Sequence, residues 1–162
     1  MQSLTFTPGR AFLSSDSTTV PWTVVFEDEG VAGYFYACDR SQVTQEAGLL
    51  DAMLIYNVRA LARGNGGAPA QANLGAQAAN DAQAVPGSDI KRVVSVEWSR
   101  DGLQAALYLD GVAQALLDFA NRCGYCRMDF PNFVAQQGDL WRKSEHTWSD
   151  AAFQQFKSAL SA

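Results

Sequence analysis

Ile90-Lys91-Arg92-Val93-Val94-Ser95-Val96-Glu97-Trp98-Ser99, then Arg100-Asp101-Gly102, then Leu103 to Leu109, Asp110-Gly111 and Val112 to Phe119, is the stretch that decides the fold. Asp-Gly between apolar runs is a strong hairpin signal, because a type I′ turn needs positive φ at both central residues. Two such turns in succession predict a three-stranded antiparallel meander. Val94, Val96 and Trp98 alternate with Ser95, Glu97 and Ser99. Leu103, Ala105, Leu107 and Leu109 alternate with Gln104, Ala106 and Tyr108. That period of two predicts one buried face and one wet face.

Outward from the meander, further strands are expected. Leu4 to Thr7 and Ala11 to Ser14 flank Pro8-Gly9 as an edge hairpin. Val20 to Phe26 and Gly33 to Cys38 flank Glu27-Asp28-Glu29-Gly30 as a second one. Ser41 to Ala62 reads as a long helix, strongest from about 44 to 62. Leu50, Met53, Leu54, Val58 and Leu61 form its stripe, and Gly64 ends it. Ser149 caps a final helix over about 149–160 carrying Ala152, Phe153, Phe156 and Leu160. The predicted fold is α+β, a single domain in which an antiparallel sheet of about five or six strands packs on these two helices. From Gly64 to Asp89 the composition turns to Gly, Ala, Gln and Asn, which predicts a flexible insertion. Ala120 to Trp148 reads as irregular.

At 162 residues, 48% hydrophobic and 18% charged, the chain can bury one core without staples. A net charge of −5 argues against nucleic acid, whose phosphates demand clustered Lys and Arg. No apolar run reaches the roughly 18 residues of a membrane span, and the amino-terminal stretch has no apolar signal core. Three cysteines fit a reducing compartment, so the expected location is cytoplasmic.

Cys123-Gly124-Tyr125-Cys126 is the sharpest local motif. Two readings stand, a redox dithiol and a pair of packed thiols. A redox pair wants a helix directly after the motif, and Pro131 disfavours one. A zinc site would have to recruit Cys38 and His146. Glu27, Asp28 and Glu29 read as a solvated turn, an acidic knob for a basic partner, a hard-cation site or an acid–base pair, the knob being preferred to the metal. Tyr34, Tyr36, Trp98, Tyr108 and Tyr125 are either packed or interface aromatics. Tyr56 and Asn57 could border a ligand cleft. No glycine-rich phosphate loop and no nucleophile elbow is present, so no cofactor, metal or catalytic residue is assigned.

Phe26 to Gly30 with Gly33 to Ala37, Leu50 to Met53 with Ile55 to Val58, Val96 to Ser99 with Asp101-Gly102, Asp118-Phe119, and Gly124 to Arg127 with Phe130-Pro131 act together as a pattern. It resembles a small family of uncharacterised bacterial proteins, a domain of unknown function, over about residues 20 to 131. The resemblance implies a single small bacterial domain with no established reaction. Cys123 is not part of that family's pattern, which further weakens the dithiol reading. The insertion and the tail after Pro131 lie outside it.

By analogy of class, small acidic bacterial domains without a visible active site are often immunity proteins. The expectation is therefore a non-enzymatic protein that binds and neutralises a cognate toxin. Glu27, Asp28, Glu29, Tyr34, Tyr36, Trp98 and Asp101, with the Gly64–Asp89 insertion, are the candidate contacts. The alternative is a small-molecule or thiol-redox protein using Cys123 and Cys126, and an enzyme using Glu27 or Asp28 stays open beside it.

Overall fold

Ten strands form two stacked sheets in the computed structural model, which describes residues 1–41, 48–57, 90–128, 141 and 146–161. The strands are β1 (Gln2–Phe6), β2 (Ala11–Asp16), β3 (Trp22–Asp28), β4 (Ala32–Asp39), β5 (Leu49–Asn57), β6 (Arg92–Trp98), β7 (Gln104–Leu109), β8 (Val112–Asp118), β9 (Cys123–Cys126) and β10 (His146–Thr147). One helix, α1 (Asp150–Ser161), follows them. The first sheet has the order β1-β6-β7-β8-β9-β10 and the second β2-β3-β4-β5. All pairings are antiparallel except β9 with β10.

The predicted meander is present as β6-β7-β8. Asp110 and Gly111 have φ of 50° and 79°, the two positive values a type I′ turn requires, and Leu109 faces Val112 across it. The first Asp-Gly turn is different. Only Gly102 has positive φ, the Gly102 amide donates to Ser99 O at 3.0 Å, and Ser99 and Gln104 close a longer loop. The expected wet face is also corrected. Val94, Val96, Ala105, Leu107, Leu109, Ala115 and Leu117 face the core between the sheets. Ala106, Tyr108, Ala113 and Leu116 lie on the other side, covered by Phe156 of α1, with Phe153, Leu160 and Trp148 packed around them.

The long helix expected over Ser41 to Ala62 is overturned where the structure describes it: Leu49–Asn57 is a strand, with 42–47 and 58–62 outside the described residues. Its apolar run is almost unbroken because Leu50 to Tyr56 are all buried, as in a strand covered on both faces. Register shifts against β4 lie between Gly33 and Tyr34 and between Ala37 and Cys38. They break the period of two and leave Leu50, Met53, Ile55 and Tyr56 in the core at a spacing that imitates a helix. The architecture is thus mostly β rather than evenly α+β. The proposed edge hairpin is corrected as well. Beyond the turn at Pro8-Gly9, β1 joins β6 and β2 joins β3, in different sheets.

The hairpin β3-β4 and the final helix match expectation. The Ala152 amide donates to Ser149 Oγ at 3.2 Å, the N-cap bond. The Cys123 motif, expected to be irregular, adds a fourth strand to the meander as β9. Phe26, Phe35 and Phe156 are wholly buried, each burial contributing up to about 3 kcal/mol. Residues 64–89, expected to form an insertion, lie outside the described residues.

Candidate functional site

The four-stranded sheet turns one face to the core and the other outward over β2, β3 and β4. At β5 the outward row is buried too, Ala52 and Leu54 being 6% and 4% exposed. Register alone assembles the outward face. Phe12 on β2 lies opposite Glu27 on β3, Glu27 opposite Tyr34 on β4, and Tyr34 opposite Leu54 on β5. The next row in the same orientation is Ser14, Val25, Tyr36 and Ala52, and Asp16 and Thr23 continue it. Phe12 is 63% exposed, while Val25, Glu27, Tyr34 and Tyr36 are half-buried. The two tyrosine rings lie 6.0 Å apart at 18°, and Tyr36 Oη donates to Glu27 Oε2 at 3.1 Å. Burial first, then that bond, raises the Tyr36 hydroxyl well above its ordinary value. The hydroxyl therefore remains a donor, and Glu27 is held in one orientation.

A cleft of about 510 Å³ opens at one end of this face, lined by Gly9, Arg10, Ala11, Phe12, Glu27, Asp28 and Glu29. The three acidic residues divide by role. Glu29 is exposed and Glu27 half-buried, whereas Asp28 is 2% exposed. The Asp28 carboxylate accepts from the Gly9 amide at 2.7 Å, from the Gly30 amide at 2.9 Å, and from the Tyr56 hydroxyl. Asp28 is a buried clamp that joins the β1-β2 turn, the β3-β4 turn and β5. Tyr56 is buried in the core with its hydroxyl satisfied by this bond, and a cavity of about 10 Å³ lies beside it, lined by Phe6, Pro8, Gly30, Arg92 and Leu109. Arg92 is buried too, its Nε 2.5 Å from Asp110 Oδ2.

The other sequence candidates sit elsewhere. Trp98 belongs to the interior joint: its ring stacks on Phe119 at 5.6 Å, Phe119 stacks on Trp22 at 5.4 Å, and its Nε1 donates to Ser15 Oγ at 3.0 Å. Asp101 occupies the far end of the sandwich. It accepts from Ser99 Oγ at 2.6 Å and the Leu103 amide at 3.0 Å, and these bonds hold its carboxyl below the usual range. Glu27, Glu29, Tyr34 and Tyr36 are therefore brought together, and Trp98 and Asp101 are not.

Cys123 and Cys126 fall on opposite faces of β9, as strand alternation demands of residues three apart. Cys126 is in the core and donates to Leu54 O at 3.1 Å. Cys123 is half-buried and donates to Tyr125 Oη at 3.4 Å. Burial, with Asp118 and Asp51 nearby, raises the Cys123 thiol, against the lowering that reactive thiols need. Cys38 is likewise raised by burial. Among the described residues, no three His, Cys, Asp or Glu side chains converge as metal ligands.

Sequence reasoning misses Phe12 and the pair Asp51–His146. Phe12 could have been found from the alternation of Phe12, Ser14 and Asp16 with Ala11, Leu13 and Ser15. Asp51 and His146 are 0% and 1% exposed, and His146 Nε2 lies 2.9 and 3.1 Å from the two Asp51 oxygens. A lone carboxylate inside an apolar run needs a buried partner, and that was the available signal.

These elements define a mostly-β domain of two stacked sheets, with one helix on the six-stranded sheet among the described residues. The chain belongs to the bacterial family described as "Uncharacterized protein conserved in bacteria (DUF2251)", whose model matches residues 6–157. That span reaches beyond the motifs between Val20 and Pro131 and takes in the insertion and the tail. The chain is also similar to an "Uncharacterized protein" of Haemophilus influenzae, 30% identical over 129 residues. The alignment covers 78% of this chain and 61% of the relative, so the chain spans less than two thirds of that protein's length. No solved structure matches.

Proposed function

We propose that this chain is a non-enzymatic protein-binding domain whose contact face is the outer side of the four-stranded sheet. The carrying observation is the transverse row Phe12–Glu27–Tyr34 with Tyr36 beside it. It presents an exposed ring, a pair of stacked tyrosines and a fixed carboxylate on a rigid sheet. Tyrosines supply large contact area at small entropic cost, and acidic neighbours speed encounter with a partner of opposite charge. Glu27 and Glu29 lend this face the sign of the whole chain, net −5, whereas Asp16 is already paired with Arg40. The partner that suits these two carboxylates is a basic protein. In class, the reading is an immunity protein that occludes a cognate toxin, by analogy with other small acidic bacterial domains.

The test is co-purification of tagged protein with the product of the neighbouring gene. A stoichiometric complex should form and weaken at least about tenfold in Tyr34→Ala/Tyr36→Ala, an interface hot-spot loss. Glu27→Lys should slow association most at low salt. A complex indifferent to all three changes would move the interface off this sheet. Protein without a partner, but stabilised thermally by a small metabolite, would replace this reading with a ligand site at the Gly9–Phe12 cleft.

A further inference from the structure

The free edge of the four-stranded sheet has a geometry independent of that reading. Among the described residues β2 is its terminal strand, and β3 pairs with it over six residues without a register shift. The Ser17 amide donates to Trp22 O, so Ser17, Ser15, Leu13 and Ala11 direct their backbone groups toward β3. Phe12, Ser14 and Asp16 direct theirs away from it. Among the described residues only one side-chain bond covers this edge, from Gln2 Nε2 to Ser14 O at 2.9 Å. Exposed edge strands are usually blunted by proline, lysine or a bulge. β2 has none of these and carries Phe12 at 63% exposure.

We infer that β2 is a self-association edge, and that its occupant is β2 of a second copy of this chain, joined antiparallel into a continuous eight-stranded sheet. Self-complementarity selects the copy and the register. With Leu13 placed opposite Leu13 of the second copy, Phe12 lies opposite its Ser14 and Ser14 opposite its Phe12. Both are outward-directed residues, so each pair exchanges two backbone hydrogen bonds. Ser14 O exchanges the Gln2 amide for a backbone donor. The two Phe12 rings become diagonal neighbours on the outer face, within reach of one another. Arg10 then lies opposite Asp16 of the second copy, at both ends of the joint. Asp16 already pairs with Arg40 at 3.0 Å on an exposed surface, and Arg10 adds a second cation. Shifting the centre to Ser14 would set Phe12 against Asp16 and lose that match. β1, whose Gln2 reaches Ser14 O in the single chain, ends the other sheet beside this edge and gives up that bond when the copy docks.

Sedimentation equilibrium of the full chain across concentration tests this. The mass should rise from 17.5 kDa toward twice that value. Ser14→Pro removes an outward N–H that β3 does not use, and should weaken dimerisation at least about tenfold while the far-ultraviolet spectrum is kept. Should that variant fail to fold, Phe12→Lys at the exposed position gives the same readout. Arg10→Asp should weaken the dimer, and Arg10→Asp/Asp16→Arg should restore it. A monomer at every concentration, or a dimer that survives both edge variants, overturns the inference. A charge swap that restores nothing overturns the register.

Discussion

Asp51 and His146 form a contact in which a carboxylate and an imidazole are both taken wholly out of water. Gly124 makes the space for it. A Cβ there would lie 2.8 Å from Met53 Sδ, 2.9 Å from Asp51 Oδ2 and 3.3 Å from His146 Cδ2. Removing either member breaks a contact made wholly out of water, so Asp51→Ala and His146→Ala should each cost about 3–5 kcal/mol in urea unfolding. The double variant should cost less than their sum, because the contact between the two side chains is lost only once. Additive losses would show that the two groups stabilise the fold separately. The tyrosine hydroxyls set the alkaline limit. Tyr56 is raised above its ordinary 10.0 by burial, then by its bond to Asp28. Tyr36 and Tyr108 are raised by burial and by Glu27 and Glu97. Tyr125 is pushed up to about 12 by Cys123 and burial. A group raised on folding holds its proton more tightly in the native state. Its stability is complete below pH 10 and is lost as pH climbs toward the folded value. Urea midpoints should therefore fall above pH 10, and Tyr56→Phe should lower the neutral-pH midpoint and flatten the alkaline fall. An unchanged alkaline slope would remove Tyr56 from this account.

At the scale of elements, legibility followed local chemistry. Asp110-Gly111 announces its turn because both residues tolerate positive φ, and β6 and β7 alternate cleanly, although a register irregularity interrupts the β7-β8 pairing. β5 was illegible because two register irregularities and cover on both faces erase its period of two. The helix-like spacing of core residues Leu50, Met53, Ile55 and Tyr56 arises from bulges, Leu54 facing the other way, and Asp51 within the run was the discordant residue. The candidate face was half legible: Glu27, Tyr34 and Tyr36 share one hairpin, whereas Phe12 enters only through pairing of β2 with β3. The fate of the meander's outer face was hidden for a related reason. Tyr108 and Ala106 look solvent-facing until α1 returns over them. That return depends on a short helix with Phe156 wholly buried. The first turn holds Ser149 as cap, Asp150 at the positive end of the dipole, and Trp148 Nε1 donating to Asp150 Oδ1 at 2.8 Å. Ser149→Ala should cost about 1 kcal/mol. If tertiary packing alone holds the helix, thermal unfolding will show no change.

At the scale of the molecule, closure of the six-stranded sheet joins distant parts of the chain. β6 to β9 are neighbours in sequence, and each pairs with the next through a short connection. Among the described residues β1 pairs only with β6, Gln2 against Val96 and Phe6 against Arg92. Closing such a loop costs chain entropy before any contact offsets it, so the meander should form in the folding transition state and β1 should dock after it. Phe6 and Leu107 are both core residues, 7% and 0% exposed. Each truncation to alanine should destabilise by about 2–5 kcal/mol, large enough for the rates to be partitioned. Stopped-flow refolding should then separate them. Leu107→Ala should slow folding, since its contacts are already present at the barrier. Phe6→Ala should leave folding nearly unchanged and accelerate unfolding. If Phe6→Ala slows folding as much as Leu107→Ala, β1 is part of the nucleus, and the six-stranded sheet closes in one step rather than meander first.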